Sequence, residues 1–62
     1  MADFKWTAAK KKAAAEILLA DANHYEVKRR KRLVGIRYLS DGRARWIGQA
    51  HDYTVDMSVN RN

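Results

Sequence analysis

The segment LVGIRYLSDGRARWIGQ, residues 33–49, contains two runs rich in β-branched and aromatic residues on either side of Asp41-Gly42. Runs of this composition favour β-strands, and an Asp-Gly pair between them is a turn signal. A third run of similar composition follows and ends at Val59. The sequence therefore predicts three antiparallel strands, which cover residues 33–39, 43–49 and 53–59.

The first turn sets the register of the sheet. A two-residue turn at Asp41-Gly42 would put Trp46 on the face opposite Ile36, and neither face would be apolar. A three-residue loop, with Gly42 in the left-handed conformation, instead places Arg37 opposite Arg45 and gives one apolar face. A slip of one residue would reverse the apolar set of a strand, so we favour the three-residue loop. The apolar face then carries Val34, Ile36, Tyr38, Ala44 and Trp46.

The second turn extends the same face. We place a two-residue turn at His51-Asp52, which sets Trp46 opposite Met57 and Gly48 opposite Val55. The third strand then adds apolar side chains to the face that carries Trp46. These side chains are Tyr53, Val55, Met57 and Val59.

Residues 7–22 predict a helix because they are rich in alanine, the best helix former. Thr7 is a suitable N-cap, and Asn23 is a suitable stop signal. The predicted apolar stripe consists of Ala9, Ala13, Ile17 and Ala20, with Ala14 and Leu18 beside it. The connector 23–32 that follows is a strand or a loop, and the sequence does not decide between the two.

A sheet with one apolar face needs a covering layer, and the helix supplies it. We therefore predict an α+β fold in which one N-terminal helix packs on a three-stranded antiparallel β-meander. A chain of 62 residues and 7.2 kDa is a single small basic domain, 1–62. Phe4 and Trp6, before the helix, either close an edge of the core or form an apolar anchor for a partner.

Composition excludes several classes of protein. The absence of cysteine excludes a disulfide scaffold and a thiolate zinc site. The longest apolar run, Ile17–Ala20, is too short for a signal peptide or a membrane span, so we expect a cytoplasmic protein without a membrane partner.

Charge carries the main functional signal. Lys and Arg number 13 against 7 Asp and Glu, which gives a net charge of +6 and a pI near 10.1. A net charge of this size creates a positive field around a small protein, and this field attracts polyanions, of which nucleic acid is the commonest. The run Lys28–Arg32 is five consecutive cations, each able to neutralise a phosphate. It could also be a solvated loop or a nuclear-localisation signal. Tyr25 and Tyr38, on either side of it, could stack on the bases of single strands.

Two further groups of cations belong to the predicted interface. Arg37 and Arg45 lie directly opposite on the polar face of the sheet, where like charges destabilise. A bound polyanion would offset the repulsion, although Asp56 and solvent are an alternative. Lys10, Lys11 and Lys12 near the helix start suit either an anion site or a solvated face. The candidate nucleic-acid contacts are Lys10, Lys11, Lys12, Lys28, Arg29, Arg30, Lys31, Arg32, Arg37, Arg43 and Arg45.

Catalysis has little support in the sequence. His51 and Asp52 are adjacent, which does not by itself form a catalytic pair. There is no phosphate-binding glycine loop, no nucleophile elbow and no metal-ligand spacing. We therefore expect a non-enzymatic protein without a metal or cofactor, whose function is to bind DNA or RNA.

The alternative is a small protein-interaction module that binds an acidic surface on a larger protein machine. It would be an inhibitor, an adaptor or an assembly subunit, of the size found among viral and plasmid accessory proteins. The last strand would leave an open edge, so a homodimer is compatible with either function.

Overall fold

The computed structural model describes residues 4–26 and 33–59. Helix α1 (Ala8–Tyr25) precedes three strands, which are β1 (Arg37–Tyr38), β2 (Arg43–Ile47) and β3 (Asp52–Asp56). The strands form one antiparallel sheet in the order β1-β2-β3, and α1 packs on one face of it. The predicted α+β class, with a helix on a three-stranded meander, is confirmed.

Thr7 caps α1 as predicted, since its Oγ1 accepts a hydrogen bond of 3.2 Å from the backbone N–H of Lys10. The predicted end of the helix is wrong. Asn23 does not stop it, and the first residues of the predicted connector 23–32 are helical as far as Tyr25. Glu26 is the C-cap, and its N–H donates to the carbonyl of Ala22 over 2.6 Å. Tertiary contacts of Tyr25 and Glu26 outweigh the weak local stop signal of asparagine.

The residues of α1 that face the core are displaced by one sequence position from the predicted stripe. The fully buried residues are Ala14, Leu18 and Ala22, which are spaced by four. Ile17, placed at the centre of the stripe by the sequence, is 36% exposed, and the predicted stripe residues Ala9 and Ala20 are exposed. Because alanine occurs all around this helix, the apolar pattern did not distinguish neighbouring faces.

The first hairpin has the predicted register, with Arg37 opposite Arg45 and Tyr38 opposite Ala44. Gly42 closes the three-residue loop with a φ of +96°, and its N–H donates to the carbonyl of Leu39 over 3.0 Å. However, β1 is much shorter than the predicted strand 33–39. Gly35 has a φ of +86°, which interrupts the extended backbone, and Val34 is 70% exposed instead of lying in the core.

The second hairpin corrects the predicted turn. Trp46 pairs with Tyr53 instead of Met57, and the N–H of Gly48 donates to the carbonyl of His51 over 2.9 Å, so the chain turns at residues 49–50. Strand β2 therefore ends at Ile47, before the predicted 49, and β3 runs over 52–56 instead of 53–59.

The error in this register is four residues, which is even, so each side chain keeps its predicted face. Tyr53 and Val55 are buried against α1, as expected. Val59 is 53% exposed and is not part of the core. Strand β3 ends at Asp56 because the Asp56 Oδ1 accepts hydrogen bonds from the N–H and Oγ of Ser58, over 2.9 and 2.6 Å. These bonds hold the pKa of Asp56 below its ordinary value.

The segment before α1 closes one edge of the core. The indole Nε1 of Trp6 donates to the carbonyl of Leu39 over 2.7 Å, and the N–H of Phe4 donates to the carbonyl of Ser40 over 2.9 Å. The Trp6 ring meets the rings of Phe4 and Tyr38 edge to face, each at 4.9 Å between centroids. Both aromatic residues are half-buried, which favours their structural role over an anchor for a partner.

Candidate nucleic-acid interface

Strand alternation positions the arginines of the sheet. Successive side chains of a strand point to opposite faces. Tyr38 and Ala44 point towards α1, so Arg37, Arg43 and Arg45 project from the other side, which we call the outer face. All three arginines are exposed.

Arg43 is already bound within the fold. Its Nε donates to the Asp41 Oδ2 over 2.7 Å, and its Nη2 lies 2.7 Å from the same oxygen. Its backbone N–H donates to the Asp41 Oδ1 over 3.1 Å. The hydrogen bonds with Arg43 lower the pKa of Asp41, so this carboxylate stays charged at neutral pH. Arg43 is consequently the least available of the three arginines for a ligand.

Arg37 and Arg45 are in a different situation. They face each other across β1 and β2, and within residues 4–26 and 33–59 no carboxylate pairs with either of them. The two side chains line a cleft of about 210 Å³ on the outer face. We call this the Arg37–Arg45 cleft, and its other lining residues are Val34, Gly35, Trp46 and Ile47. Two like charges held together in this way attract an anion.

The rim of the Arg37–Arg45 cleft is apolar. Val34 is 70% exposed and Ile47 is 68% exposed, so both side chains are open to a ligand. The rim is held in place because the indole Nε1 of Trp46 donates to the carbonyl of Val34 over 3.1 Å. Sequence reasoning missed this rim, because it assigned Val34 to the core.

The helix lysines do not join the outer face. The Lys11 Nζ lies 5.3 Å from the centroid of the Tyr38 ring, on the side of the sheet that α1 covers. The Lys10 Nζ lies 4.6 Å from the Phe4 ring and donates to the carbonyl of Lys5 over 3.4 Å. Lys12 is exposed on the same helix. The structure therefore separates the predicted lysine contacts from the arginine pair.

The run Lys28–Arg32 lies outside the described residues, but the residues that flank it are well anchored. The carboxylate of Glu26 accepts from the N–H of Gln49 over 2.9 Å and from the hydroxyl of Tyr53 over 2.7 Å. On the other side, Leu33 packs against the core, and Val34 lines the Arg37–Arg45 cleft. The run is thus covalently joined to the cleft at its C-terminal end.

Glu26 was not singled out in the sequence, because its partners are more than twenty residues away along the chain. Burial and the hydrogen bond to Glu26 raise the pKa of Tyr53 to about 12. The same carboxylate lies beside Gly48, where a Cβ would overlap it and the Trp46 ring. Glu26 therefore ties the end of α1 to the β2–β3 turn.

The tyrosines and histidines lie elsewhere in the fold. Tyr25 is 62% exposed, and its ring contacts those of His24 and His51 at centroid distances of 4.6 and 5.4 Å. Tyr38 is half-buried beneath Trp6 and Lys11. His51 thus takes part in ring packing, and in the part of the chain that the structure describes no three His, Cys, Asp or Glu side chains gather into a metal-binding group.

Comparison of the chain with protein-family models, with curated proteins and with solved structures finds no match. Among the described residues, α1 does not combine the length and the apolar composition that a membrane crossing requires.

Proposed function

We propose that this protein is a small non-enzymatic nucleic-acid-binding protein, which contacts phosphates through the Arg37–Arg45 cleft and the run Lys28–Arg32. The observation that carries the proposal is the cleft itself. Two exposed arginines stand opposite each other without a described carboxylate partner, while their neighbour Arg43 has one. A fold that neutralises one arginine and leaves the adjacent pair open has a surface suited to an anionic ligand.

The distribution of charge supports a polyanion. The run Lys28–Arg32 contains five of the 13 cations of the chain. Without it, eight Lys and Arg would stand against seven Asp and Glu, so most of the net charge of +6 belongs to this run. The run directly precedes Leu33 and Val34 in the sequence, which suits a ligand with many negative charges.

Guanidinium groups suit phosphate chemically. Their planar arrangement of donors matches two phosphate oxygens at once, and a bound phosphate would remove the repulsion between Arg37 and Arg45. Contacts of this kind fix the position of the nucleic acid but do not read its sequence. We therefore expect binding with little sequence preference.

The remaining candidate cations have a smaller role in this proposal. Arg43 must give up its ion pair with Asp41 before it can bind a phosphate. Lys10, Lys11 and Lys12 lie on the helix side of the sheet and add to the general positive field only.

The alternative function, binding to an acidic protein, is favoured by one observation. Val34 and Ile47 are exposed apolar side chains beside two arginines, a combination that is common in protein interfaces. The two functions differ in how steeply binding depends on salt, because each phosphate neutralised on a nucleic acid releases a condensed counterion.

The test is a series of binding titrations at increasing salt with DNA and RNA oligonucleotides. We expect the wild type to lose affinity steeply as salt rises. The triple variant Arg29→Gln, Arg30→Gln and Arg32→Gln should bind more weakly, with a log–log slope reduced by up to about 0.9 per lost duplex phosphate contact. Arg45→Gln should lower affinity more than Lys5→Gln, which removes one exposed charge elsewhere.

Two results would contradict the proposal. If the wild type binds no nucleic acid in a salt-dependent manner, the positive surface belongs to an acidic protein partner. If Arg45→Gln and Lys5→Gln weaken binding equally, the Arg37–Arg45 cleft is not the interface.

A further inference from the structure

The composition of the Arg37–Arg45 cleft identifies the kind of nucleic acid. We propose that the ligand is single-stranded, and that the cleft takes one nucleotide. Its phosphate lies between Arg37 and Arg45, and its base or sugar packs on Ile47 and Val34. This inference rests on the proposed function.

The cleft combines two chemistries within a few residues. Arg37 and Arg45 provide positive charge, whereas Val34 and Ile47 provide apolar surface that is 70% and 68% exposed. A duplex presents sugars and phosphates outwards and keeps the faces of its bases in the stack. An unstacked nucleotide instead offers an apolar base face close to a phosphate. The apolar rim therefore contributes to the binding of a single strand and adds little to that of a duplex.

The shape of the site leads to the same conclusion. Proteins that read a duplex insert a projecting helix or β-ribbon into a groove. Here α1 covers the opposite face of the sheet, and the arginine pair lines a concave cleft of about 210 Å³. A concave site accepts one unit of a flexible chain more readily than the side of a stiff double helix.

The rim of the cleft is organised before any ligand arrives. The hydrogen bond from the Trp46 indole to the carbonyl of Val34 fixes the position of the rim. Gly35 has a φ of +86°, and among the described residues, its chain neighbours apart, no atom lies within 4 Å of the point where a Cβ would be. The described backbone therefore leaves this side of the cleft accessible, which lowers the cost of binding.

The experiment compares fluorescently labelled oligothymidylate with a DNA duplex of the same length by anisotropy, at the same series of salt concentrations for both probes. The test variant is Ile47→Thr, which keeps a β-branched side chain on the strand but removes apolar surface. The matched control is Val59→Thr, because Val59 is also exposed (53%) but does not line the cleft. A second test variant, Val34→Thr, lies outside the strands. Thermal melts of all three variants are recorded to check that each is folded.

We expect the wild type to bind oligothymidylate more tightly than duplex. Ile47→Thr should lower the affinity for oligothymidylate by about three- to tenfold, as loss of part of an apolar contact does, and leave duplex binding unchanged. Val59→Thr should resemble the wild type.

Other outcomes separate this inference from the proposed function. If the wild type binds both probes equally and in a salt-dependent manner, the single-strand inference is wrong and nucleic-acid binding stands. The same conclusion follows if Ile47→Thr and Val34→Thr leave the affinity for oligothymidylate unchanged. Absence of salt-dependent binding to both probes overturns both, and binding to polyglutamate would then assign the cleft to an acidic protein.

Discussion

Gly42 and Gly35 both have a positive φ, at +96° and +86°, but their surroundings differ. A Cβ on Gly42 would lie 2.7 Å from the Cβ of Ser58 and 3.0 Å from its backbone nitrogen. A Cβ on Gly35 would meet no atom within 4 Å among the described residues other than its chain neighbours. The sequence predicted the conformation of Gly42 from the loop type, but it did not show the close approach of Ser58, because that contact depends on where β3 ends.

We therefore expect Gly42→Ala to destabilise the protein more than Gly35→Ala. The left-handed conformation alone costs an alanine about 1–2 kcal/mol, and Gly42→Ala adds the overlap with Ser58. Urea unfolding of the two variants measures the difference. Equal losses of stability would show that the space around Gly42 is not restricted.

Tyr53 carries the clearest perturbation of a side-chain pKa. Its pKa is raised to about 12, first by burial and then by the hydrogen bond to the carboxylate of Glu26. The folded state therefore favours the neutral phenol. The stabilisation is complete below the ordinary tyrosine pKa near 10, and it is lost as the pH rises from there through about 12.

A tyrosinate absorbance titration tests this pair. The chain has three tyrosines, and we expect the ionisation of Tyr53 to be a late step, near pH 12. Glu26→Gln should bring the late step to lower pH, because the variant removes the negative charge and keeps the burial. Ionisation of Tyr53 near the ordinary tyrosine pKa of 10.0 in the folded wild type would contradict its burial and its hydrogen bond to Glu26.

At the scale of elements, the side of α1 that faces the sheet is the feature that the sequence predicted incorrectly. Leu18 is fully buried, whereas Ile17 is 36% exposed. We expect Leu18→Ala to cost about 2–5 kcal/mol, as truncation of buried leucines does. Ile17→Ala should cost below about 1.5 kcal/mol, because only part of that side chain leaves water on folding. Thermal unfolding of both variants measures the two losses of stability. A larger loss of stability in Ile17→Ala would show that the predicted stripe, and not Leu18, faces the sheet.

The two hairpins show which sequence signals are sufficient to predict the register of a strand pair. The Ser40-Asp41-Gly42 loop gave the first register correctly, because of the two loop lengths that the Asp-Gly signal allows, only the three-residue loop separates polar from apolar side chains. The predicted second turn, His51-Asp52, has no such glycine signal, and the actual register differs from the predicted one by an even number of residues, which preserves the faces. The position of the actual turn depends on Gly48, where the Trp46 ring and the Glu26 carboxylate leave no room for a side chain.

At the scale of the whole molecule, the sequence located the cations but not their partners. It placed Arg37 opposite Arg45, and the structure has the same pair. The ion pair between Arg43 and Asp41, the exposed rim of the cleft and the separation of the helix lysines all depend on how loops and helix pack. No local pattern in the sequence encodes them.

Because Arg37 and Arg45 repel each other, we expect their charges to lower the stability of the fold while they raise its affinity for nucleic acid. Arg45→Gln removes the repulsion with Arg37, so stability should hold or rise by at most about 1 kcal/mol, while affinity for nucleic acid falls. Arg43→Gln removes an ion pair and should leave stability equal or lower. Melting temperatures measured beside binding constants check both variants. A marked loss of stability in Arg45→Gln would mean that this side chain has a structural partner.

The most direct measurement is a two-dimensional amide NMR titration of the wild type with oligothymidylate. If the Arg37–Arg45 cleft is the interface, the largest shift changes in the part of the chain described here should fall on Gly35, Arg37, Arg45 and Ile47. The exposed side of α1, around Glu16 and Ala20, should change little. Changes confined to α1, or no changes at low salt, would contradict the assignment of the outer face to nucleic acid.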